Sequence, residues 1–285
     1  MVAPERSVSE SKAAQLEQSL AGALERIRRC ATARGREQQG QYLIEGERLI
    51  ARALRAQTQL ALVLFGQEFL RGQEAQRLVS MLSAAGVEYL AVPDKVLVDL
   101  ADGRSSGLCV GLSALAPEQS LRECLGQMST EERRLLLIAV DVDEPGNVGA
   151  LTRTALASGV DALVCVGSTD LFHPKAVRSS MGSVFKVRHC RASDAQECVG
   201  LLRQAGFMQV AAVAQGGASL FVAQLSSPRA ALYVGNEARG LPQAISSQVD
   251  GQVTIPMPAG VDSFSINAAT AVVLYELQRQ RGAFS

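Results

Sequence analysis

Four short polar segments in the second half of the sequence carry residue types that could bind a ligand and assist its chemistry. Each follows an apolar run with the composition of a β-strand and places glycine, proline, amide or charged side chains directly after it. They are residues 141–149 with Arg153, residues 173–175, residues 235–237 and residues 255–257. Because a parallel α/β sheet binds its ligands beyond the carboxyl ends of its strands, the four segments together predict one assembled site.

The first segment is rich in carboxylates and leads into a helix predicted over residues 147–158. Gly149 and Arg153 lie four residues apart and therefore share a face of that helix. Taken alone, Asn147 could be a helix N-cap and Arg153 a solvated surface charge. The carboxylates beside these residues favour a site instead.

The second segment begins a helix predicted over residues 174–181. Pro174 suits the first turn of a helix, and His173, Lys175 and Arg178 place basic side chains near its N-terminal end. Since the backbone N–H groups of a helix N-terminus already favour anions, this segment fits a phosphate group such as those of RNA. A well-capped surface helix, with His173 as its cap, is the alternative.

The third segment favours a planar ligand close to the backbone, and the fourth predicts a rigid apolar turn. Gly235 and Gly240 allow the chain to approach a planar group closely. Their loop has neither the dinucleotide-binding glycine pattern nor the phosphate-binding lysine loop, so nicotinamide cofactors and nucleotide hydrolysis lack support. Ser263, Ser265 and Asn267 straddle the start of the last predicted helix, and capping explains only one of them.

These segments need a sheet that brings them together, and the apolar pattern of the sequence predicts one. Beyond residue 133 we expect helices at 147–158, 174–181 and 266–280, and strands at 135–140, 162–166, 184–189, 209–213, 231–234 and 253–255. The strands are apolar throughout, as expected for a parallel sheet covered by helices on both faces. Earlier in the chain we expect helices at 46–56 and 73–85 and strands at 60–65, 88–92 and 108–112.

The pattern divides the 285 residues into two α/β domains. Residues 1–20 are polar and predict a flexible tail or a loose helix. Residues 21–115 predict a small α/β domain, residues 116–132 a linker rich in Pro, Ser, Gly and charge, and residues 133–285 the larger domain with the parallel sheet.

Composition argues against several classes of function. With 28 basic and 28 acidic side chains the formal net charge is zero, so a nucleic-acid site must come from local clustering. Six cysteines without a C-x-x-C pair and only two histidines predict reduced thiols and no metal site. No run reaches the length of a membrane span and no signal peptide is evident, so we expect a cytoplasmic protein.

In order and spacing the four segments resemble the SpoU/TrmH family of SPOUT-superfamily RNA ribose 2′-O-methyltransferases. The family motifs read D-x-x-x-P-x-N-x-G-x-x-x-R-[TS]-A, h-P-K-x-x-R-x-S-x-G, G-N-E-x-x-G-L, and I-P-M with S-L-N before a final apolar helix; the match runs over residues 135–281. Residues 34–48 resemble the small ribosomal-protein-like domain that many family members use to hold RNA. The resemblance implies S-adenosylmethionine as the cofactor, a C-terminal trefoil knot and a homodimer.

The resemblance also implies roles for individual residues. Those implied to bind the cofactor are Gly235, Ile255, Phe264 and Ser265. Those implied to take part in catalysis are Arg153, Asn147, Glu237 and Ser263. Since a guanidinium group hardly loses its proton in proteins, we expect Arg153 to orient and polarise the ribose hydroxyl rather than act as a base.

The sequence departs from the family pattern at one position. Ungapped counting places Ser265 where the S-L-N motif has its asparagine. Asn267 could substitute from two residues further on, with a locally shifted backbone, so either residue could take the role.

RNA contacts are predicted from the clustered arginines before the first apolar core and from the second polar segment. The residues are Arg34, Arg36, His173, Lys175 and Arg178. A solvated amphipathic helix is the alternative for the arginines. We expect ribosomal RNA as the substrate; the open alternatives are a catalytically impaired RNA-binding or ribosome-assembly factor of the same fold, and a tRNA or base methyltransferase.

Overall fold

The computed structural model describes residues 5–100, 109–129, 131–261 and 263–283, with side chains from residue 18 onwards. Contacts between residues divide the chain into two compact units. The first contains residues 1–116 together with 172–174, and the second contains residues 117–171 and 175–285.

The first unit is a mixed four-stranded sheet with helices packed on it. Its strands are β1 (Gln41–Glu45), β2 (Leu60–Gly66), β3 (Tyr89–Val92) and β4 (Cys109–Ala114), in the order β1-β4-β2-β3. β4 runs antiparallel to both of its neighbours, and β2 and β3 are parallel. The helices are α1 (Glu5–Cys30), α2 (Ala33–Gln39), α3 (Glu47–Arg55), α4 (Gln73–Ala84) and α5 (Asp94–Leu100), with a 3₁₀ helix at Phe69–Arg71.

Helix α1 begins inside the segment predicted to be a flexible tail or a loose helix. Residues 5–20 are helical in the structure, and residues 1–4 lie outside the described residues. Alanine, leucine and glutamate have high helix propensities and recur through this segment, so local composition favours the helix over an irregular tail. Further along α1, Ile27 and Cys30 are buried in a core that they share with Leu64 and Leu112 of the sheet.

The second unit is built on a seven-stranded sheet, and all of its strand pairs are parallel. The strands are β5 (Arg134–Val140), β6 (Ala162–Val166), β7 (His189–Ala192), β8 (Met208–Ala212), β9 (Ala218–Ser219), β10 (Arg229–Val234) and β11 (Gly251–Thr254), in the order β7-β6-β5-β10-β8-β11-β9. The helices are α6 (Leu121–Gly126), α7 (Pro145–Ala157), α8 (Pro174–Ser179), α9 (Ala195–Gln204), α10 (Gln243–Ser246) and α11 (Ile266–Arg281), with a 3₁₀ helix at Ser183–Phe185. The prediction of an α/β protein with a parallel sheet is confirmed.

Helices cover both faces of this sheet. Leu136 and Ile138 of β5 share a core with Leu121 of α6 and Leu202 of α9. The alternate residues of β5, such as Leu137, are equally buried but point to the opposite face, on which α7 and α11 pack against each other and against the strands. Within the described part of the chain, no helix has the length and apolar character needed to cross a lipid bilayer.

One strand prediction for this unit is corrected. The strand expected at 184–189 is replaced by a 3₁₀ helix, and β7 begins only at His189. Met181 and Gly182 both have positive φ, which reverses the chain before residue 184 and prevents an extended run.

The expected linker over 116–132 contains the short helix α6. Its N-cap Ser120 and Glu123 form a reciprocal capping box, with Ser120 Oγ accepting from the Glu123 N–H and the Glu123 carboxylate accepting from the Ser120 N–H. Leu121 and Cys124 are buried in the core of the second unit. This part of the segment is therefore a packed element of that unit.

Gly149 of α7 allows the close approach of α8. A Cβ atom at this position would overlap both Ser179 Oγ and the Ala176 carbonyl oxygen. Gly200 in α9 is a helical glycine whose Cβ position has no heavy atom within 4 Å. Of these two glycines, only Gly149 is required by packing.

The Gly149→Ala variant is expected to lose about 1–3 kcal/mol of unfolding free energy because the added methyl group overpacks the α7–α8 contact. The Gly200→Ala variant is expected to gain up to about 1 kcal/mol from its better helix propensity. Urea denaturation of the two variants and the wild type measures both changes. Equal changes in the two variants would show that the α7–α8 contact does not require glycine.

Candidate active site

A cavity of about 550 Å³ lies beyond the carboxyl ends of β8, β10 and β11, against the first turns of α11. Its wall combines apolar side chains with exposed backbone. The lining residues include Val213, Gly235, Glu237, Leu241, Ile255, Met257, Ser263, Phe264, Ser265 and Thr270. The position agrees with the ligand site that a parallel sheet offers, and the size suits a small organic ligand.

The loop after β10 closes one side of the cavity as a tight turn. Gly240 has φ +66° and its N–H donates to the Asn236 carbonyl at 2.8 Å. A Cβ atom on Gly235 would overlap the Gly240 carbonyl group. Both glycines are therefore required by the turn itself, which leaves the Gly235 backbone bare toward the cavity.

Asp143 connects this loop to two other loops of the site. Its Oδ2 accepts from Asn236 Nδ2 at 3.0 Å and from the Arg239 guanidinium at 2.8 Å, and its Oδ1 accepts from Ser168 Oγ. Asn236 Nδ2 also donates to the Asp141 carbonyl at 3.0 Å. The carboxylate of Asp143 thus holds the loops after β5, β6 and β10 at one place.

The start of α7 is fixed by the residue before it. Glu144 is the N-cap, and its Oε2 accepts from the Asn147 N–H at 2.8 Å. Its other carboxylate oxygen forms an ion pair with Lys175. The hydrogen bond from Lys175 and those from the backbone hold the pKa of Glu144 below its usual range, so this carboxylate is ionised at neutral pH.

The start of α11 is fixed by Ser265 and Glu237. Ser265 is the N-cap, and its Oγ accepts from the Ala268 N–H at 3.4 Å. The Glu237 carboxylate accepts from the Ile266 N–H at 3.3 Å. Glu237 therefore joins the loop after β10 to the last helix.

A pair of asparagines joins the first turns of α7 and α11. Asn267 Nδ2 donates to Asn147 Oδ1 at 3.1 Å. Asn267 lies in the first turn of a regular helix that begins at Ile266. Ser265 occupies the capping position instead, and its side chain lines the cavity.

Most residues predicted to form the site lie together. Gly235, Glu237, Ile255, Ser263, Phe264 and Ser265 all line the cavity. Asn147 is not one of the lining residues; it is bonded to Asn267 in the first turn of α11. Arg153 is exposed on α7, outside the cavity wall, and forms no hydrogen bond or ion pair with any residue in the described ranges.

The residues predicted to contact RNA have different environments. Arg34 is exposed on α2, and Lys175 is exposed while paired with Glu144. His173 and Arg178 are partly buried. The proposed contact of these four residues with RNA therefore stays a prediction.

Arg36 is a correction, because it is 3% exposed and cannot offer its charge to a surface ligand. Its guanidinium donates to the carbonyls of Cys30 and Ala31 at 3.0 and 3.3 Å, which satisfies acceptors at the end of α1. Arginine clustering in the sequence did not distinguish this capping role from a surface charge.

For two further residues of the site, Asp143 and Asn236, the sequence pattern predicts no individual role. Asp143 was visible only as one of several carboxylates, and Asn236 only as a member of a motif. An Asn in a turn binds its own backbone, as Asn236 Oδ1 does with the Ala238 and Arg239 N–H groups. The long-range contact with Asp143 follows from strand order, which the sequence does not specify.

Comparisons with known proteins agree on one family. The profile of the SpoU rRNA Methylase family matches residues 134–275, and that of the MRM3-like substrate binding domain matches residues 23–110. A solved RNA 2′-O ribose methyltransferase aligns with a TM-score of 0.75 at 32% identity, covering 91% of this chain and 96% of that chain.

Two further proteins support this match. The SpoU methyltransferase AviRb from Streptomyces viridochromogenes, solved in complex with AdoMet, aligns with a TM-score of 0.79 at 25% identity, covering 92% of this chain and 98% of AviRb. The 23S rRNA (guanosine(2553)-2′-O)-methyltransferase RlmP from Bacillus subtilis is 27% identical over 248 residues, which are 87% of this chain and 92% of RlmP.

The Asp143→Ala variant is expected to loosen the loop after β10, since hydrogen bonds to a charged acceptor contribute about 1.5–3 kcal/mol. Backbone amides of residues 235–240 should exchange with solvent about 10-fold faster, as measured by hydrogen–deuterium exchange with mass spectrometry. The control is Arg239→Ala, which removes only the exposed partner and should change exchange much less. Wild-type protection of the loop in Asp143→Ala would contradict this account of the site.

Proposed function

This chain belongs to the SpoU family of rRNA methylases, and from that premise we propose that it transfers a methyl group from S-adenosylmethionine to a ribose 2′-hydroxyl of ribosomal RNA. Family membership makes it an RNA methyltransferase that uses S-adenosylmethionine. The observation that carries the proposal is the cavity at the carboxyl ends of β8, β10 and β11, whose lining residue Asn236 is bonded to the loop that leads into α7. The choice of ribosomal RNA is supported by the name of the relative RlmP.

The cavity fits S-adenosylmethionine in size and chemistry. Its volume of about 550 Å³ lies in the range of small-molecule sites, about 300–1,000 Å³. Apolar side chains such as Leu241 and Met257 suit an adenine ring, and the bare backbone at Gly235 and Ile255 offers hydrogen-bonding groups. We assign cofactor contacts to these two backbone positions, together with Phe264 and Ser265. When bound, S-adenosylmethionine supplies an electrophilic methyl group on its sulfonium sulfur.

The residues of the chain then have to hold the ribose and favour loss of its hydroxyl proton. We assign Arg153 to the ribose hydroxyl and the phosphate next to it, because a guanidinium donates hydrogen bonds to oxygen and offsets negative charge while keeping its own protons. An exposed guanidinium with no protein partner in the described ranges is available for that contact. Glu237 and Ser263 shape the pocket, Glu237 by fixing the start of α11.

We propose that residues 21–115 form the RNA-holding domain, since the profile of a substrate-binding domain matches most of this range. Arg34, His173, Lys175 and Arg178 are the proposed RNA contacts. Arg36 is excluded because its charge is buried. Neighbouring exposed arginines such as Arg28 add positive charge to the same domain.

We further propose a homodimer and the trefoil knot that the family implies. Phe221 and Tyr275 leave 72% and 50% of their surface exposed beside Val272, an apolar area suited to a second copy. The knot is supported by the position of α11. Its Gln280 Nε2 donates to the carbonyl of Ala223, which precedes β10, and the helix also packs against α7.

All six cysteines are free and buried, which supports a reducing compartment such as the cytoplasm.

Activity at Arg153 tests the proposed reaction. Ribosomal RNA from cells lacking the gene is incubated with enzyme and S-adenosylmethionine, and the products are identified by nucleoside mass spectrometry and mapped to a nucleotide. The Arg153→Ala variant should lower kcat by about 100-fold or more, since it removes a charged donor at the reacting oxygen, while cofactor affinity stays within about threefold.

The matched control is Arg122→Ala, which removes another exposed arginine from α6 and should leave the rate unchanged. A methylated base would show that the reaction differs from the one proposed. Absence of any RNA product, with cofactor still bound, would identify an RNA-binding factor without turnover.

RNA affinity at varied salt tests the role of Arg34. Because each phosphate contact releases counterions, Arg34→Ala should weaken binding and reduce the slope of log Kd against log salt concentration by about 1. Fluorescence anisotropy with a labelled ribosomal RNA fragment measures this slope, and Glu37→Gln on the same helix is the control. An unchanged slope would remove Arg34 from the RNA surface.

A further inference from the structure

The asparagine pair at the starts of α7 and α11 is asymmetric. Asn267 donates and Asn147 accepts, at 3.1 Å. The other oxygen of the pair, Asn267 Oδ1, is buried and has no donor among the described residues. A buried amide oxygen without a partner is unfavourable, so stability alone does not account for an asparagine at this contact.

The bond fixes which way the Asn147 amide faces. Its oxygen is occupied by Asn267 Nδ2, and its backbone N–H by the Glu144 carboxylate. The Asn147 side-chain NH₂ group donates to no described residue and is not sealed from solvent. Asn147 therefore presents hydrogen-bond donors, rather than an acceptor, at the start of α7. It follows the loop whose Asp143 binds Asn236 of the cavity wall.

We infer that Asn267 is a positioning residue that sets the direction of the Asn147 amide, so that Asn147 donates a hydrogen bond to the ribose oxygen that is methylated. This rests on the proposed function. Negative charge grows on that oxygen as its proton is lost, and a fixed donor stabilises the charge without reorganising during the reaction. A hydrogen-bond acceptor in the same place would repel that negative charge.

Ser265 and Asn267 have different tasks at the start of α11. Ser265 caps the helix and lines the cavity. Asn267, half a turn further on, faces α7. The polar group that joins the last helix to α7 at the site is thus Asn267, not the residue aligned with the asparagine of the S-L-N motif.

Two isosteric variants separate orientation from bonding. In Asn267→Asp, residue 267 can only accept, so the Asn147 amide must turn its NH₂ group inward and its oxygen outward. In Asn147→Asp, the bond from Asn267 is kept but the outward donor is lost. Both should lower kcat on ribosomal RNA from cells lacking the gene, by at least 10-fold for Asn267→Asp and about 100-fold for Asn147→Asp. The Kd for S-adenosylmethionine, measured by calorimetry, should stay within about threefold.

The matched control lies at the opposite end of the same helix pair. Gln278 Nε2 of α11 donates to the Ser158 carbonyl at the end of α7, at 2.8 Å, and is buried. Gln278→Met should lower the Tm because it leaves that carbonyl unpaired, yet keep kcat within about twofold. Equal losses of kcat in Gln278→Met and Asn267→Asp would reduce Asn267 to a structural contact and overturn the inference.

NMR spectroscopy tests the orientation of the Asn147 side-chain amide independently of activity. In ¹⁵N-labelled wild-type protein the Asn147 NH₂ signal should exchange quickly with solvent and the Asn267 NH₂ signal slowly; in Asn267→Asp the Asn147 signal should become protected. A protected Asn147 NH₂ group in the wild type, or wild-type kcat in Asn267→Asp, would overturn the inference. If the wild type transfers no methyl group to ribose, the proposed function fails, and so does the catalytic part of the inference, while the NMR signals still report the amide orientation.

Discussion

The direct parallel pairing of β5 with β10 is the constraint on which the rest of the site depends. The register aligns Arg134 with Arg229 and Ala139 with Val234, so the two strands end at the same level although they are far apart in the sequence. The loops that follow them leave the sheet side by side, which lets Asp143 accept hydrogen bonds from Asn236. If another strand took the place of β10 beside β5, the carboxylate would be separated from the loop it holds, and the cavity would lose one of its walls.

The first turns of α7 and α11 make further contacts that position the site. The start of α7 is capped by Glu144, directly before it, and the start of α11, at the cavity, is bound by Glu237 from the loop after β10. The Lys175–Glu144 ion pair extends this network to α8. Since exposed N–H groups at a helix start need acceptors, capping and the positioning of the site are achieved by the same carboxylates. This explains why the polar segments contain more acidic residues than the chemistry itself requires.

The sequence predicted the parallel sheet because buried parallel strands are apolar along their whole length, and the site because its loops follow those strands. It failed where the outcome depends on backbone conformation or distant contacts. Residues around Val184 have strand-like composition, yet the positive φ of Met181 and Gly182 turns the chain into a 3₁₀ helix. Arg36 looks like a surface charge until the end of α1 supplies its acceptors. The partner of Asn267 lies 120 residues earlier, and no local pattern specifies it.

The burial of every cysteine has a practical consequence for work with this protein. Burial raises the pKa of Cys109 and Cys165 to about 12, so these thiols hardly ionise near neutral pH, and all six thiols are shielded from solvent. Because maleimide and iodoacetamide reagents must reach the sulfur atom, burial slows their reaction with the native cysteines while the chain stays folded. A single cysteine introduced on an exposed surface would then carry a dye or spin label selectively, without removal of the native cysteines. One such label on each unit would allow the distance between the two units to be measured.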